Sequence, residues 1–346
     1  MEAELRELPE LVVRKDGRAG RLTLNRPKAL NALTHGICLE TTKALQAWAG
    51  DPEVDLVILD GAGERAFCAG GDIAQVTAAG KAGDYAMGRD FWRDEYRMNL
   101  LLRRYPKPVV SFLHGFVMGG GVGYGCHIGH RVVGESTQMA MPECGIGMIP
   151  DVGGTYLLGR APGQLGLYLP LTAARMGPGD ALHAGFADHF IPEAEWDTVK
   201  ARLCETGDIA TLPRHPAPAA PMAEEQARID RLFGAGDLPT ILARLEADDS
   251  PLAQSALKAV RRNSPLSMAC TLAMLDPAPD SLQAALTQEY RWTWRSMEHG
   301  DFIEGVRAQI IDKDRNPQWQ HRIDTLPEGL VAEMLAPLGA DELTFP

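Results

Sequence analysis

Three stretches of this chain combine residue types that could act on a polarised oxygen. The first is AFCAGGDI (66–73), where Gly70 and Gly71 let the backbone turn sharply and approach a ligand closely. The amide of Gly71 could then point into a cleft, although spacing alone favours an ordinary strand-to-helix turn. The second is HGFVMGGGVGYG (114–125), with glycine at 119, 120, 121, 123 and 125. Open N–H groups and the positive end of a following helix would face a developing anion there. Tight packing explains one such glycine but not five in seven positions. Each turn follows a candidate buried strand, so together they could aim two N–H donors at one oxygen. That is an oxyanion hole, which stabilises charge on a carbonyl oxygen by several kcal/mol. The third stretch is MPECGIGMIPD (141–151), which sets Glu143 among apolar residues with Asp151 further along. Carboxyl groups in apolar surroundings hold their protons more tightly and suit acid–base work. Taken singly, either acid reads better as an ion-paired or capping residue.

Two competing motifs weigh less. Gly61, Gly63 and Ala66 fit the G-x-G-x-x-A dinucleotide fingerprint, but Gly70-Gly71 would break the required helix within two turns. Cys126, His127 and His130 lie close together, yet no second cluster at zinc spacing accompanies them. The remaining histidines are dispersed and suggest no catalytic triad.

The elements that must position these stretches read as α/β. Residues 11–13 and 20–25 form short strands around the turn Asp16-Gly17. Thr34 caps a helix running to about Ala49, with Ile37, Leu39, Leu45 and Trp48 as its apolar stripe. DLVILD (55–60) and PVVSFLH (108–114) are continuous apolar runs, the mark of strands buried on both faces. A helix spans roughly 84–104 between them. The Pro- and Ala-rich segment 208–221 reads as a linker. Beyond it, Ser250-Pro251, Ser264-Pro265 and Ser281 are helix starts and Gly300 a helix stop, so the last third reads as all-helical. The implied division is a core over 1–207, the linker, and a helical region over 222–346.

The whole-chain balance limits the partners. With 34 basic and 46 acidic residues the net charge is −12, which disfavours nucleic acid and anionic membrane as main partners. Any polyanionic ligand would need local cations, for which Arg26, Lys28 and Lys313 are candidates. Six scattered cysteines without a CxxC pair read as free thiols of a reducing compartment. The first residues lack the charge and apolar run of a secretory signal, and a cytoplasmic location is the default.

Taken in order, NRPKALNAL (25–33), AFCAGGDI, HGFVMGGGVG and MPECGIGMIPDVGGTYLL (141–158) resemble the enoyl-CoA hydratase/isomerase (crotonase) superfamily. The resemblance implies a spiral of ββα units with a helical C-terminal region. It implies that the Gly71 and Gly120 amides form the oxyanion hole for an acyl-CoA thioester. It also places Lys28, Ala29, Leu30, Ala69, Gly70, Asp72 and Ile73 along the coenzyme A moiety. No cofactor is expected, since coenzyme A is part of the substrate; metal binding is not expected, and self-association is an open possibility.

Within the superfamily the chain is most similar to the 3-hydroxyisobutyryl-CoA hydrolases. It has Gly123 where hydratases carry a glutamate. It pairs Glu143 with Asp151 before VGG, and its DFIEGVRAQIIDKDRNPQW (301–319) resembles their C-terminal signature. RDEYRMN (93–99) sets Glu95 at a position that contacts substrate in that group. The implied activity is hydrolysis of a short 3-hydroxyacyl-CoA, with 3-hydroxypropionyl-CoA nearly as plausible as the branched substrate of valine catabolism. Glu143 would attack the carbonyl or activate water, Asp151 would orient water or the hydroxyl, and Glu95 would bind the β-hydroxyl. The alternatives are an enoyl-CoA isomerase or hydratase, and a non-catalytic acyl-CoA-binding protein.

Overall fold

The computed structural model describes residues 9–346. Among the described residues nine strands form two sheets and, from β3 on, alternate between them. Strands β1 (Leu11–Asp16), β2 (Ala19–Leu24), β3 (Leu56–Gly61), β5 (Val109–Leu113), β7 (His130–Val133) and β9 (His189–Phe190) form one sheet in the order β1-β2-β3-β5-β7-β9. Strands β4 (Ala66–Cys68), β6 (Phe116–Met118) and β8 (Gln138–Ala140) form the other. Each turn of the chain therefore contributes one strand to each sheet before a helical stretch, which makes a spiral of ββα units. Only β1–β2 is antiparallel; every other pairing is parallel.

The apolar runs of β3 and β5 are continuous because both faces are covered. Val57, Leu59 and Leu113 face the main core, whereas Leu56, Ile58, Val110 and Phe112 face a second cluster under the Trp196–Thr206 helix. Period-two side-chain alternation divides one strand between two cores. Helix α1 (His35–Ala49) begins at Thr34, whose hydroxyl accepts from the Ile37 amide. Its stripe uses Ile37, Cys38, Thr41, Ala44, Leu45 and Trp48; Leu39 instead faces solvent at 48% exposure, since it lies off that face of the helix. Helices α2 (Ile73–Lys81) and α3 (Ala86–Arg103) follow β4, and α4 (Gly120–Cys126) follows β6.

The main core crosses the 208–221 segment. It includes Leu24 and Val57 together with Ile229, Ile241, Leu286 and Trp292. The segment itself holds one short turn, Ile209–Thr211, and Ala219 lies against Gly179 so closely that a Cβ at 179 would meet its carbonyl at 2.1 Å. The three seryl caps form: Ser250, Ser264 and Ser281 accept from the amides of Ala253, Ser267 and Ala284. Gly300 ends the Leu282–His299 helix. The last third is not helical throughout, however. After a π-turn at Arg307–Ile311 the chain is irregular to His321. Arg307 ties that stretch down through Glu304, Asp312 and Asp314.

Ser264 joins the helical region to the spiral. Its hydroxyl caps one helix at 3.1 Å and donates to Asp301 at 2.6 Å, and its amide donates to the Cys144 carbonyl at 2.9 Å. Replacing Ser264 with alanine removes the cap and leaves the buried Asp301 short of a donor. Urea unfolding is expected to register a loss of about 1–3 kcal/mol.

Candidate active site

The three-stranded sheet brings the motifs together. Because β4, β6 and β8 run parallel, with Ala66 opposite Phe116 and Met118 opposite Ala140, the turns that leave them open at the same sheet end. These turns carry Gly70-Gly71, Gly119-Gly120 and Glu143. Backbone shapes at two glycines need the absence of a Cβ: Gly70 has φ +120° and Gly119 φ +49° with ψ −117°. Leu33 pairs around Gly71, donating to the Gly70 carbonyl at 2.9 Å and accepting from Asp72 at 2.7 Å. That pairing passes over the Gly71 N–H. The Gly120 N–H, at the first position of α4, has no partner within the helix. Among the described residues neither N–H meets an acceptor. A Cβ on Gly120 would stand 3.2 Å from the Gly71 nitrogen, so the two turns touch.

Both glycines line a cavity of about 190 Å³ whose other walls include Phe91, Trp92, Met148 and Ile310. Three acids also line it: Glu95 from α3, Glu143 from a short turn after β8, and Asp151. They are 2%, 5% and 5% exposed, so each carboxyl is largely removed from water. A Cβ at Gly119 would lie 2.6 Å from Glu143 Oε1, and one at Gly120 would lie 2.9 Å from Glu95 Oε1. The two carboxyls therefore flank the glycine turn. Among the described residues Glu143 Oε2 and Glu95 Oε1 have no hydrogen-bond partner. Burial, and then the neighbouring Asp151 charge, hold the Glu143 and Glu95 carboxyls well above the usual carboxylate range. Burial raises Asp151 to about 6, opposed by the Tyr96 hydroxyl that donates to its Oδ2 at 2.7 Å.

Sequence reasoning missed the support around Asp151. Tyr96 sits beside Glu95 in RDEYRMN, so its signal was adjacent. Val152 carried none: it occupies φ +53°, a left-handed conformation costly for a β-branched residue. Its carbonyl lies 2.7 Å from His127 Nε2, and since a carbonyl only accepts, that nitrogen carries the proton. Burial lowers His127 to about 4 and keeps the ring neutral. Its role here is structural; among the described residues no trio of ligating side chains gathers for a metal. Val152 also fills the space beside Gly123, where a Cβ would lie 2.6 Å from the valine Cβ. Glu289, from the Leu282–His299 helix, accepts from the amides of Gly153 and Thr155.

The segments expected along coenzyme A lie side by side, joined by the Ala69 amide and the Leu30 carbonyl at 3.0 Å. Ala69, Gly70 and Ile73 line the cavity; Lys28, Ala29, Leu30 and Asp72 lie outside it. Lys28 and Lys313 are exposed, and Lys313 follows Ile310 by three residues. Arg26 is different from the free cation expected of it: it pairs with Asp72 at 2.8 Å and Glu10 at 3.0 Å.

Residues 19–335 match the family described as enoyl-CoA hydratase/isomerase. A Gallus gallus protein named 3-hydroxyisobutyryl-CoA hydrolase, mitochondrial, is 40% identical, the match covering 96% of this chain and 90% of that protein. Its Homo sapiens namesake is 37% identical over 97% of this chain and 91% of its own length. Among solved structures, an enoyl-CoA hydratase from Rhodobacter sphaeroides 2.4.1 is 56% identical with TM-score 0.95, covering 97% of this chain and all of that one (100%). A carnitinyl-CoA dehydratase from Mycobacterium thermoresistibile is 44% identical with TM-score 0.92, covering 97% and 98%. These names divide between thioester cleavage and water addition or removal.

The buried acids make stability depend on pH. Where folding raises a carboxyl pKa, the folded state keeps a proton that the unfolded chain has lost, so stability falls as pH rises from the unfolded value through the folded one. Glu143→Gln and Glu95→Gln remove that liability. Both variants are expected to melt at a higher temperature than the parent at pH 8, with the advantage shrinking toward pH 5. Differential scanning calorimetry across that range reads it; a lower melting temperature at pH 8 would contradict the assigned shifts.

Proposed function

The chain belongs to the enoyl-CoA hydratase/isomerase family, and from that premise we propose that it hydrolyses a short 3-hydroxyacyl-CoA thioester, 3-hydroxyisobutyryl-CoA foremost, as in valine catabolism. The observation that carries this reading is the pairing of two acceptor-free glycine amides with the unpartnered Glu143 carboxyl around one small cavity. The thioester oxygen sits between the Gly71 and Gly120 N–H groups, which stabilise the charge it gains when the carbonyl carbon is attacked. The Glu143 carboxylate either attacks that carbon, giving a mixed anhydride that water then cleaves to the hydroxy acid and the free carboxylate, or takes a proton from water attacking the carbon; the proton that water gives up goes to the departing sulfur. In both routes the C–S bond breaks and coenzyme A leaves as the thiol. Asp151, anchored by Tyr96, orients water or the substrate hydroxyl. Glu95 accepts from or donates to the β-hydroxyl, and a site built to pair a hydroxyl discriminates strongly against the chain that lacks it. Coenzyme A is part of the substrate, lying along residues 28–30 and 69–73, and the chemistry calls on no further cofactor.

Hydration of an enoyl-CoA is the reading that the names of the two solved structures suggest for comparison. It uses a second carboxylate from the position of Gly123, and here Val152 fills the space such a side chain would enter. A cytoplasmic site of action suits the six buried free cysteines; the relatives named above carry the word mitochondrial, and cell fractionation separates the two locations.

Free-thiol release with a panel of hydroxyacyl- and enoyl-CoAs tests the reading. 3-Hydroxyisobutyryl-CoA is expected to release thiol in proportion to acid formed. Glu143→Gln is expected to lower kcat by about 10²–10⁴-fold while leaving coenzyme A affinity intact. Loss of the enoyl absorbance of crotonyl-CoA with no thiol from any hydroxyacyl-CoA would overturn it.

A further inference from the structure

Asp151 is held by residues that never reach the cavity. The turn after it, Val152-Gly153-Gly154-Thr155, leads into the short helix α5 (Gly154–Leu158). Open N–H groups at such a helix start need acceptors. No side chain of the turn itself provides the cap. Glu289 supplies it from the Leu282–His299 helix, far away in sequence. Its Oε2 accepts from Gly153 N at 2.6 Å, and its Oε1 accepts from Thr155 N at 3.0 Å and lies 2.5 Å from Thr155 Oγ1. Glu289 is fully buried, at 0% exposure. A buried acid is a costly way to fill space, and a well-packed apolar side chain would serve packing better.

The same helix supports Asp151 from a second side. The neighbouring Tyr290 sets its ring edge-on against Tyr96, with centroids 6.1 Å apart, and Tyr96 donates the 2.7 Å bond to Asp151. Between these two supports stands Val152, whose left-handed backbone is held by the His127 bond to its carbonyl. The turn is therefore fixed at 151 by Tyr96, at 152 by His127, and at 153 and 155 by Glu289. Neither Glu289 nor Tyr290 lines the cavity. Both belong to the helical region, which gives that region a part in the chemistry.

We propose that Glu289 is a positioning residue, one that fixes the turn bearing Asp151 so that this carboxyl meets the bound thioester in the reactive geometry. The inference rests on the thioester-hydrolase reading. It predicts a loss in the chemical step with little change in substrate binding, because the displaced group acts after the coenzyme A moiety is seated.

The experiment compares full-length Glu289→Gln, Thr155→Ala and Thr155→Ser with the parent, each assayed for thiol release from 3-hydroxyisobutyryl-CoA well below its own melting temperature. Misplacement of a catalytic group by about 1 Å costs on the order of 10²-fold. Glu289→Gln and Thr155→Ala are expected to lower kcat about ten-fold or more, with KM changed less than about two-fold, while Thr155→Ser, which keeps the hydroxyl, returns kcat to near the parent value. Should Glu289→Gln fail to fold, the alanine and serine pair at 155 still decides. Parental kcat in Thr155→Ala, with only its melting temperature lowered, would overturn the inference. So would a rise in KM that accounts for the whole loss. A parent chain that releases no thiol would instead fault the hydrolase reading, leaving that failure distinct from this one.

Discussion

The parallel pairing of three short strands, β4, β6 and β8, is the constraint on which the site depends. Parallel strands in register must end on one edge of their sheet, and each of these ends in a segment with a special backbone or a buried acid. The pairing therefore converts three motifs, separated by tens of residues, into one surface. Glycine completes it. At 119 and 120 any side chain would push into Glu143 Oε1 or Glu95 Oε1, and at 121 a Cβ would lie 2.1 Å from the Cys68 carbonyl. The glycine run is a consequence of close approach between backbone and acids, and of one turn against the other.

That closeness has an electrostatic cost. Glu95, Glu143, Asp151 and Glu289 are all buried, and burial raises each carboxyl. The four respond differently because their partners differ. Burial raises Asp151 to about 6 against the bond that Tyr96 donates, whereas Glu289, despite its donors, is raised to about 8 by burial and by the Asp151 charge. Among the described residues Glu95 and Glu143 each keep an oxygen without a partner, so the loss of water at that oxygen is not made good. The hydroxyl of a bound substrate would supply the donor that those oxygens lack, and its carbonyl would supply the acceptor that the open amides lack. The open amides and the unpartnered acids are complementary in the same sense: the first lack an acceptor and the second lack a donor.

Much of the fold was legible because its signals are local. Continuous apolar runs marked β3 and β5, a threonine marked the start of α1, and serine-proline pairs marked helix starts in the last third. Leu39 was misassigned because its spacing fits a helical stripe only roughly, and the side of the helix that is covered depends on packing. The irregular stretch before His321 carries the turn-formers Asp312, Asp314 and Asn316-Pro317, and Arg307 ties it down through ion pairs to Glu304, Asp312 and Asp314. In the site, Gly71, Gly120, Glu95, Glu143 and Asp151 all reach one cavity, as the motifs suggested. The ion pairs of Arg26 with Glu10 and Asp72 were not legible, since the second spans 46 residues. Glu289 was invisible for the same reason: its acceptors lie 134 residues away from the amide they cap at Thr155.

The difference between adding water to an alkene and cleaving a thioester cannot reside in the fold, since the solved structures named for hydration superimpose on this chain almost throughout. It is a matter of side chains, and in this chain Val152 fills the space beside Gly123. Placing a valine at left-handed φ turns its side chain into the gap beside Gly123, closing the place where α4 would present a carboxylate. The same backbone twist carries Asp151 into the cavity on one side and opens the Gly153 and Thr155 amides to Glu289 on the other. Exclusion of one acid and presentation of another are thus two results of a single strained residue. The strain persists because His127 holds Val152 itself while Tyr96 and Glu289 hold its neighbours, from three elements, and Glu289 ties the turn to the helical region that packs behind it.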